Sequence, residues 1–146
     1  MSVVSIDSLI DVKTDIVSSQ CPFCEIAAGD NHTRLWLRSS HGFVIRDGYP
    51  LVEGHSLVIP NKHVGSFFEL SSEIQADLIA LVSRVREELI KEFGIQDVNI
   101  GINDGPLAGQ TVPHCHIHVI PRRSGDVDDP RGGVRWLIPE KADYWS

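Results

Sequence analysis

The sequence predicts an α+β protein: an antiparallel sheet with one long helix packed on it. Three observations predict this. Apolar residues recur at helical spacing through Ser72–Phe93. Four shorter stretches, Gly42–Arg46, His55–Ile59, Val98–Ile102 and His114–Ile120, read as strands, the last two with period-two alternation. Turn residues stand between them.

Taken in chain order, residues 1–20 have mixed patterning, with Asp7, Asp11 and Asp15 and no basic start. They read as an extension and not as a signal peptide. Residues 21–146 read as one domain with a loop-rich tail from about 124. Cys21 and Cys24 form a Cys-x-x-Cys pair, and Cys115 makes the count odd. That argues against a disulfide framework. Metal binding, redox chemistry and burial as small apolar groups all stay open for the pair. Asp47-Gly48-Tyr49-Pro50 carries turn chemistry, so the first two strands form a hairpin, and Pro60 ends it. Ser72 with Gln75 reads as a capping box, and Gly94 as the helix stop. At 1.5 Å per residue the helix is roughly 30 Å long, enough to cover a sheet face. Asp104–Gly109 is a turn and Pro121 closes the last strand. Beyond Arg123 the chain reads as loop, through Arg131-Gly132-Gly133 to the apolar stretch Val134–Ile138.

Composition bounds the function. The chain has 146 residues, 42% apolar and 23% charged, with net charge −7. No apolar run approaches the ~20 residues of a membrane helix, which excludes a membrane partner, and a cytoplasmic location is the default expectation. The acidic balance excludes general nucleic-acid binding. An anionic substrate must be held by local donors.

His114, His116 and His118 sit at every second position of the last strand, so all three are expected on one face. Shared ligation of one metal is disfavoured by distance: at about 3.3 Å per residue, His114 and His118 are roughly 13 Å apart, whereas zinc–nitrogen bonds are about 2.0–2.1 Å. The spacing suits a row of groups along an extended substrate such as a polyphosphate. A neutral imidazole attacks phosphorus, and a charged one stabilises or protonates a leaving oxygen.

The stretch Gln110-Thr111-Val112-Pro113-His114-Cys115-His116-Ile117-His118-Val119-Ile120 resembles the signature of the histidine triad superfamily, His-x-His-x-His followed by two apolar residues. Asn103–Gly109 is similar too. The nearest branch is that of the fragile histidine triad and dinucleoside polyphosphate hydrolases. The resemblance implies that His116 attacks the α-phosphorus to form a nucleotidyl-histidine, which water cleaves. His118 serves the phosphate and the leaving oxygen. His114 supports, its carbonyl orienting the His116 ring. Gln110, Thr111 and Asn103 are implied phosphate or leaving-group contacts, and Asp47 a ribose contact, although Asp47 reads equally well as a turn residue.

Some relatives bind zinc through a Cys-x-x-Cys pair, a histidine after Ile-Pro-x-x-His and the first triad histidine. Here that set is Cys21, Cys24, His63 and His114, a closed Cys2His2 group of the structural kind. The implied substrate is a purine nucleotide or dinucleotide such as diadenosine tri- or tetraphosphate, with Mg2+ on the polyphosphate. Nucleoside phosphoramidase, nucleotidyl transferase, a non-catalytic nucleotide-binding module and a zinc scaffold are the alternatives. A homodimer, paired through the long helix and a strand into a continuous sheet, is also implied. Cys115 is expected in the core. His55 packs or caps; His32 and His41 lie on the surface. Arg122 and Arg123 are a solvated pair or bind a distal phosphate. Trp36, Trp136, Trp145 and Phe43 pack or stack on a base. Arg131 and Arg135 clamp a second nucleotide or make a dimer contact.

Overall fold

The computed structural model describes residues 20–29 and 34–146. Apart from Gln20, the extension expected over residues 1–20 lies outside them, as does His32. Five strands form one antiparallel sheet: β1 (Leu35–Arg38), β2 (Gly42–Arg46), β3 (Ser56–Pro60), β4 (Val98–Gly101) and β5 (Ile117–Pro121). Their order is β1-β2-β3-β5-β4. Helix α1 (Pro22–Ala28) precedes the sheet in sequence, and helix α2 (Ser72–Phe93) links β3 to β4.

The two faces of the sheet have different covers. On one, α2 presents Leu78, Leu81, Val82, Val85 and Leu89 to Val44, Val58, Cys115, Ile117 and Val119. Fully burying such an aliphatic side chain stabilises by about 1.5–3 kcal/mol. On the other face, Cys21, Phe23 and Ile26 of the α1 region pack on Phe43, Ile45, Leu57 and Ile59. Buried from both sides, β2 and β3 lose the alternating pattern of a half-exposed strand. Gly42 lets α2 approach this closely: a Cβ there would lie 2.6 Å from Leu78 Cδ2 and 2.8 Å from the Ile59 carbonyl oxygen.

The long helix keeps the expected bounds but not the expected cap. Ser71 is the N-cap, its hydroxyl accepting from Ile74 N–H. The Gln75 amide donates to the carbonyls of Phe67 and Leu70. The capping box belongs to the preceding short 3-10 turn, Phe67–Glu69, where Ser66 and Glu69 bond reciprocally. Gly94 ends the helix in the left-handed region, φ 71°, which glycine adopts without a Cβ penalty.

The last strand begins later than expected, at Ile117. Register explains it. β3 pairs with β5 only through Ser56–Val119, Leu57–His118 and Val58–Ile117. Before Ile117 the chain bends off the sheet, and Cys115 N–H bonds the Val64 carbonyl. His114 and His116 therefore precede the strand, and only His118 lies on it. Two elements, α1 and β1, have no counterpart in the expectation. The tail forms 3-10 turns at Gly133–Leu137 and Pro139–Lys141. It is tied to β4, where Arg122 bonds Asn99 and Asp126.

Candidate active site and metal centre

His116 stands at the centre of the site, with only 8% of its surface exposed. Its Nδ1–H donates to the His114 carbonyl oxygen at 2.8 Å. A neutral ring in that tautomer carries its lone pair on Nε2. The edge of the Phe23 ring meets His116 with centroids 5.2 Å apart, and meets His114 at 5.7 Å. Phe23 thus wedges the first two histidines from α1, a role invisible in the sequence because it rests on a contact between distant segments. The His118 ring lies 5.2 Å from that of His116.

His114 turns away from this centre. It is fully buried, and its Nε2–H donates to the Pro60 carbonyl at 2.8 Å. Its Nδ1 lone pair then faces Cys21 Sγ at 3.4 Å, Cys24 Sγ at 3.5 Å and His63 Nδ1 at 3.2 Å. Cys24 Sγ lies 3.1 Å from His63 Nδ1. A tetrahedron built with zinc–nitrogen bonds of about 2.05 Å and zinc–sulfur bonds of about 2.3 Å has edges of roughly 3.3–3.8 Å. The four donors lie within a few tenths of an ångström of that range and could hold a metal ion. The carbonyl on the far nitrogen is the outer-shell partner that fixes a ligating tautomer. Burial, with smaller contributions from His63 and His116, lowers the His114 pKa to about 4, while the Pro60 bond opposes the shift. Burial also lowers that of His63. Both rings are neutral at pH 7, as ligation requires.

At the other end, Leu51 N–H donates to His55 Nδ1 at 3.1 Å. That bond places the His55 proton on Nε2, which lies 3.0 Å from His118 Nδ1 and 3.3 Å from an Asp47 carboxylate oxygen. Asp47, His55 and His118 also have a metal-like disposition. The tautomer argues for a hydrogen-bonded relay instead, because an Nε2–H has no lone pair to give a cation. With Nδ1 of His118 accepting from His55, the neutral ring carries its proton on Nε2. Burial, with His116 and His55 beside it, lowers the His118 pKa to about 4 against the opposing pull of Asp47. Burial likewise lowers that of His55, against Asp47.

Asp47 lies in the turn after β2 and on a cavity wall. Its carboxylate accepts from Tyr49 N–H at 2.9 Å, the turn role, and it lines a cavity of about 820 Å³ together with His55, His118 and Asn103. Gln110 is a loop brace: its oxygen accepts from Gly105 N–H, and its amide donates to the carbonyls of Gly65 and Val112. Thr111 is exposed. Asp104, not singled out from sequence, accepts from the Ser66 hydroxyl and Phe67 N–H and so pins the adjoining loop. Cys115 lies in the core, where burial, aided by Asp104, pushes its thiol up to about 12, too high for a nucleophile.

The weaker candidates also separate. Phe43 is wholly buried. Trp36 lies under the Arg46 guanidinium and Trp145 under that of Arg131, whereas Trp136 faces the cavity. Arg122 is held by Asp126 through two nitrogens, which keeps that carboxyl far below the usual range. Arg123 lies over Phe93. Arg131 pairs with Asp129, and Arg135 bonds the carbonyls of Lys141 and Ala142. These arginines build the tail. His41 lies 3.9 Å from Glu73.

The model of the HIT domain family matches residues 28–125. A bis(5'-nucleosyl)-tetraphosphatase (asymmetrical) of Schizosaccharomyces pombe is 42% identical over 80 residues, 55% of this chain and 44% of that protein. An adenosine 5'-monophosphoramidase of the same organism is 36% identical over 102 residues, 70% of this chain and 74% of that one. The crystal structure of a Zn-bound histidine triad family protein from Mycobacterium smegmatis superimposes with TM-score 0.69 at 36% identity, covering 75% of this chain and 79% of that one. The chain spans only 22% and 58% of the length of two other curated relatives. No described helix is long and apolar enough to cross a membrane.

Proposed function

The chain belongs to the HIT domain family, and from that premise we propose that it is a nucleotide hydrolase in which His116 attacks phosphorus. The observation that carries this reading is the His116 Nδ1–H bond to the His114 carbonyl, which leaves Nε2 as a lone pair beside His118. The His116 Nε2–phosphorus bond forms as the bond from phosphorus to the leaving oxygen breaks, and that oxygen departs with the electron pair. Water then displaces the histidine at phosphorus, loses a proton to solvent, and returns His116 with its lone pair. His118 directs its Nε2–H at the phosphoryl or leaving oxygen, a preorganised donor of the kind that lowers such barriers. Asn103, and Thr111 at the loop edge, are proposed phosphate contacts, and Asp47 a ribose contact. Gln110 acts through the loop it braces.

The first substrate reading is a dinucleoside polyphosphate such as diadenosine tri- or tetraphosphate, its chain accompanied by Mg2+. A nucleoside phosphoramidate is the second. It is favoured by one observation: Arg122, the cation on the cavity wall among the described residues, is already paired with Asp126. We assign zinc to Cys21, Cys24, His63 and His114, where it would tie α1 to the triad and supply stability, not chemistry. A homodimer joined through α2 and edge strand β4, acting in the cytoplasm, completes the reading.

Steady-state assays with diadenosine tetraphosphate and adenosine 5'-phosphoramidate test it. His116→Ala should lower kcat at least about 10³-fold while the circular dichroism spectrum and Tm stay near wild type. A variant retaining near-wild-type turnover would sink the assignment.

A further inference from the structure

The two sulfurs beside His114 have a chemistry that holding a metal does not exhaust. Cys21 is the N-cap of α1, with extended backbone at φ −93° and ψ 121°, and Cys24 follows in the first helical turn. No disulfide joins them. Yet the donor atoms of Cys21, Cys24, His63 and His114 all lie within 4.8 Å of one another, both sulfurs included. A disulfide spans Cα separations of about 4.4–6.8 Å, so a bond between these sulfurs needs no unfolding. It does need a local change. It brings Cβ atoms to about 3.5–4.5 Å, closer than the about 5–6 Å usual for positions three apart on a helix. Closure therefore draws the first turn of α1 together.

What that turn carries makes the change matter. Phe23 stands between the two cysteines, and its ring edge meets His114 and His116 at 5.7 and 5.2 Å. The first turn of α1 thus holds the sulfurs and the wedge on the reaction centre together. A second link runs through His114, whose Nδ1 faces both sulfurs and whose carbonyl takes the His116 Nδ1–H. A disulfide offers no thiolate, so closure leaves a zinc ion only His63 and His114. Access to the pair is graded. Cys21 is buried, whereas Cys24 and His63 are half-buried, so a solute from solvent meets Cys24 first. Cys115 is the contrast. It sits in the α2 core with 1% of its surface exposed, out of reach of such a solute.

We propose that Cys21 and Cys24 are a redox modification site, closing to a disulfide that ejects the metal and displaces His116 from its working position. The oxidant is the disulfide of a small thiol. Cys24 Sγ attacks one sulfur of that disulfide, forming a mixed disulfide and releasing one small thiolate. Cys21 Sγ then attacks Cys24 Sγ and releases the second. The two cysteines give up two electrons, which the small disulfide takes. The released thiolates take protons from solvent according to pH, and zinc departs as the hydrated ion. The proposal rests on the zinc assignment and on His116 being the nucleophile.

Full-length, zinc-loaded protein treated with glutathione disulfide tests it. The readouts are zinc released to a chromophoric chelator, thiol count with peptide mapping, ring-nitrogen NMR of His116, and kcat with the two nucleotides named above. The three thiols of the chain should fall to one, with Cys21 joined to Cys24 and Cys115 left. About one equivalent of zinc should appear in step with closure. The His116 ring signals should shift and kcat should fall by about 10–100-fold, with far-UV circular dichroism kept at assay temperature. Dithiothreitol with added zinc should restore all four readouts. Cys21→Ser should stop at a mixed disulfide on Cys24. Thiols that stay at three, a pair that closes while zinc stays bound, or closure that leaves kcat and the His116 signals unmoved overturns the proposal. If reduced protein hydrolyses neither nucleotide, the catalytic reading fails, and the zinc, thiol and NMR readouts still decide the switch. Reduced protein that takes up no zinc overturns the metal assignment and the switch with it, leaving the His116 reading to its own assay.

Discussion

The two ends of the histidine row use the same side chain in opposite ways. His114 gives its Nε2–H to the Pro60 carbonyl and turns Nδ1 into a part-buried group of sulfurs and a second imidazole. His118 gives Nδ1 to His55 and turns Nε2–H toward an open cavity. Burial lowers both pKa values to about 4, so charge does not distinguish them. What distinguishes them is which ring nitrogen is already taken. A carbonyl partner leaves a lone pair, fit for a metal; an N–H partner leaves a proton, fit for an oxyanion.

The largest effect that would break this contrast lies at the His114 end. Cys21→Ala, or a strong chelator, should remove about one equivalent of bound zinc and lower Tm by more than about 10 °C, since structural zinc contributes folding free energy directly. Metal analysis with calorimetry checks both, and an unchanged Tm in metal-free protein would show that the tetrad is not structural.

At the His118 end the expected cost falls on rate. His55→Phe removes the donor that sets the His118 tautomer and should lower kcat by about 10–100-fold, with KM and Tm moved much less. His55→Gln keeps an N–H donor and should recover part of the loss. Equal rates for the two variants would mean that His55 only packs.

The smallest effect is a pH slope. Between pH 6.5 and about 4 the unfolded chain protonates the residue at position 118 while the folded His118 stays neutral. Stability from this group is therefore complete above pH 6.5, is lost as pH falls, and levels off below about 4, at a cost of at most about 1.4 kcal/mol per pH unit. Denaturant titrations at stepped pH should show a shallower slope in His118→Asn than in wild type.

The helix Ser72–Phe93 and strand Gly42–Arg46 were legible to the residue because each carries its periodicity or apolar run in one segment. The clustering of Cys21, Cys24, His63 and His114 was legible through resemblance, although these residues are up to 93 positions apart. The start of the last strand was not, because His114 and His116 leave the sheet to reach α1 and Pro60, and alternation cannot report a bend. The Ser72 cap failed because two adjacent serines offer the same hydroxyl, and only the backbone at Ser71 is extended. Phe23, the His55 relay and the bracing amide of Gln110 depend on contacts across the fold. Trp136 could not be told from Trp36 and Trp145, which arginines cover.

One side of the cavity wall has a different origin in the chain from the histidine row it adjoins. The match to the HIT domain ends at residue 125, and Val134, Trp136 and Leu137 come after it. The same space is thus bounded by two separately written stretches of chain, and a change confined to Val134–Leu137 would reshape the room beside His118 without touching the contacts that hold His116.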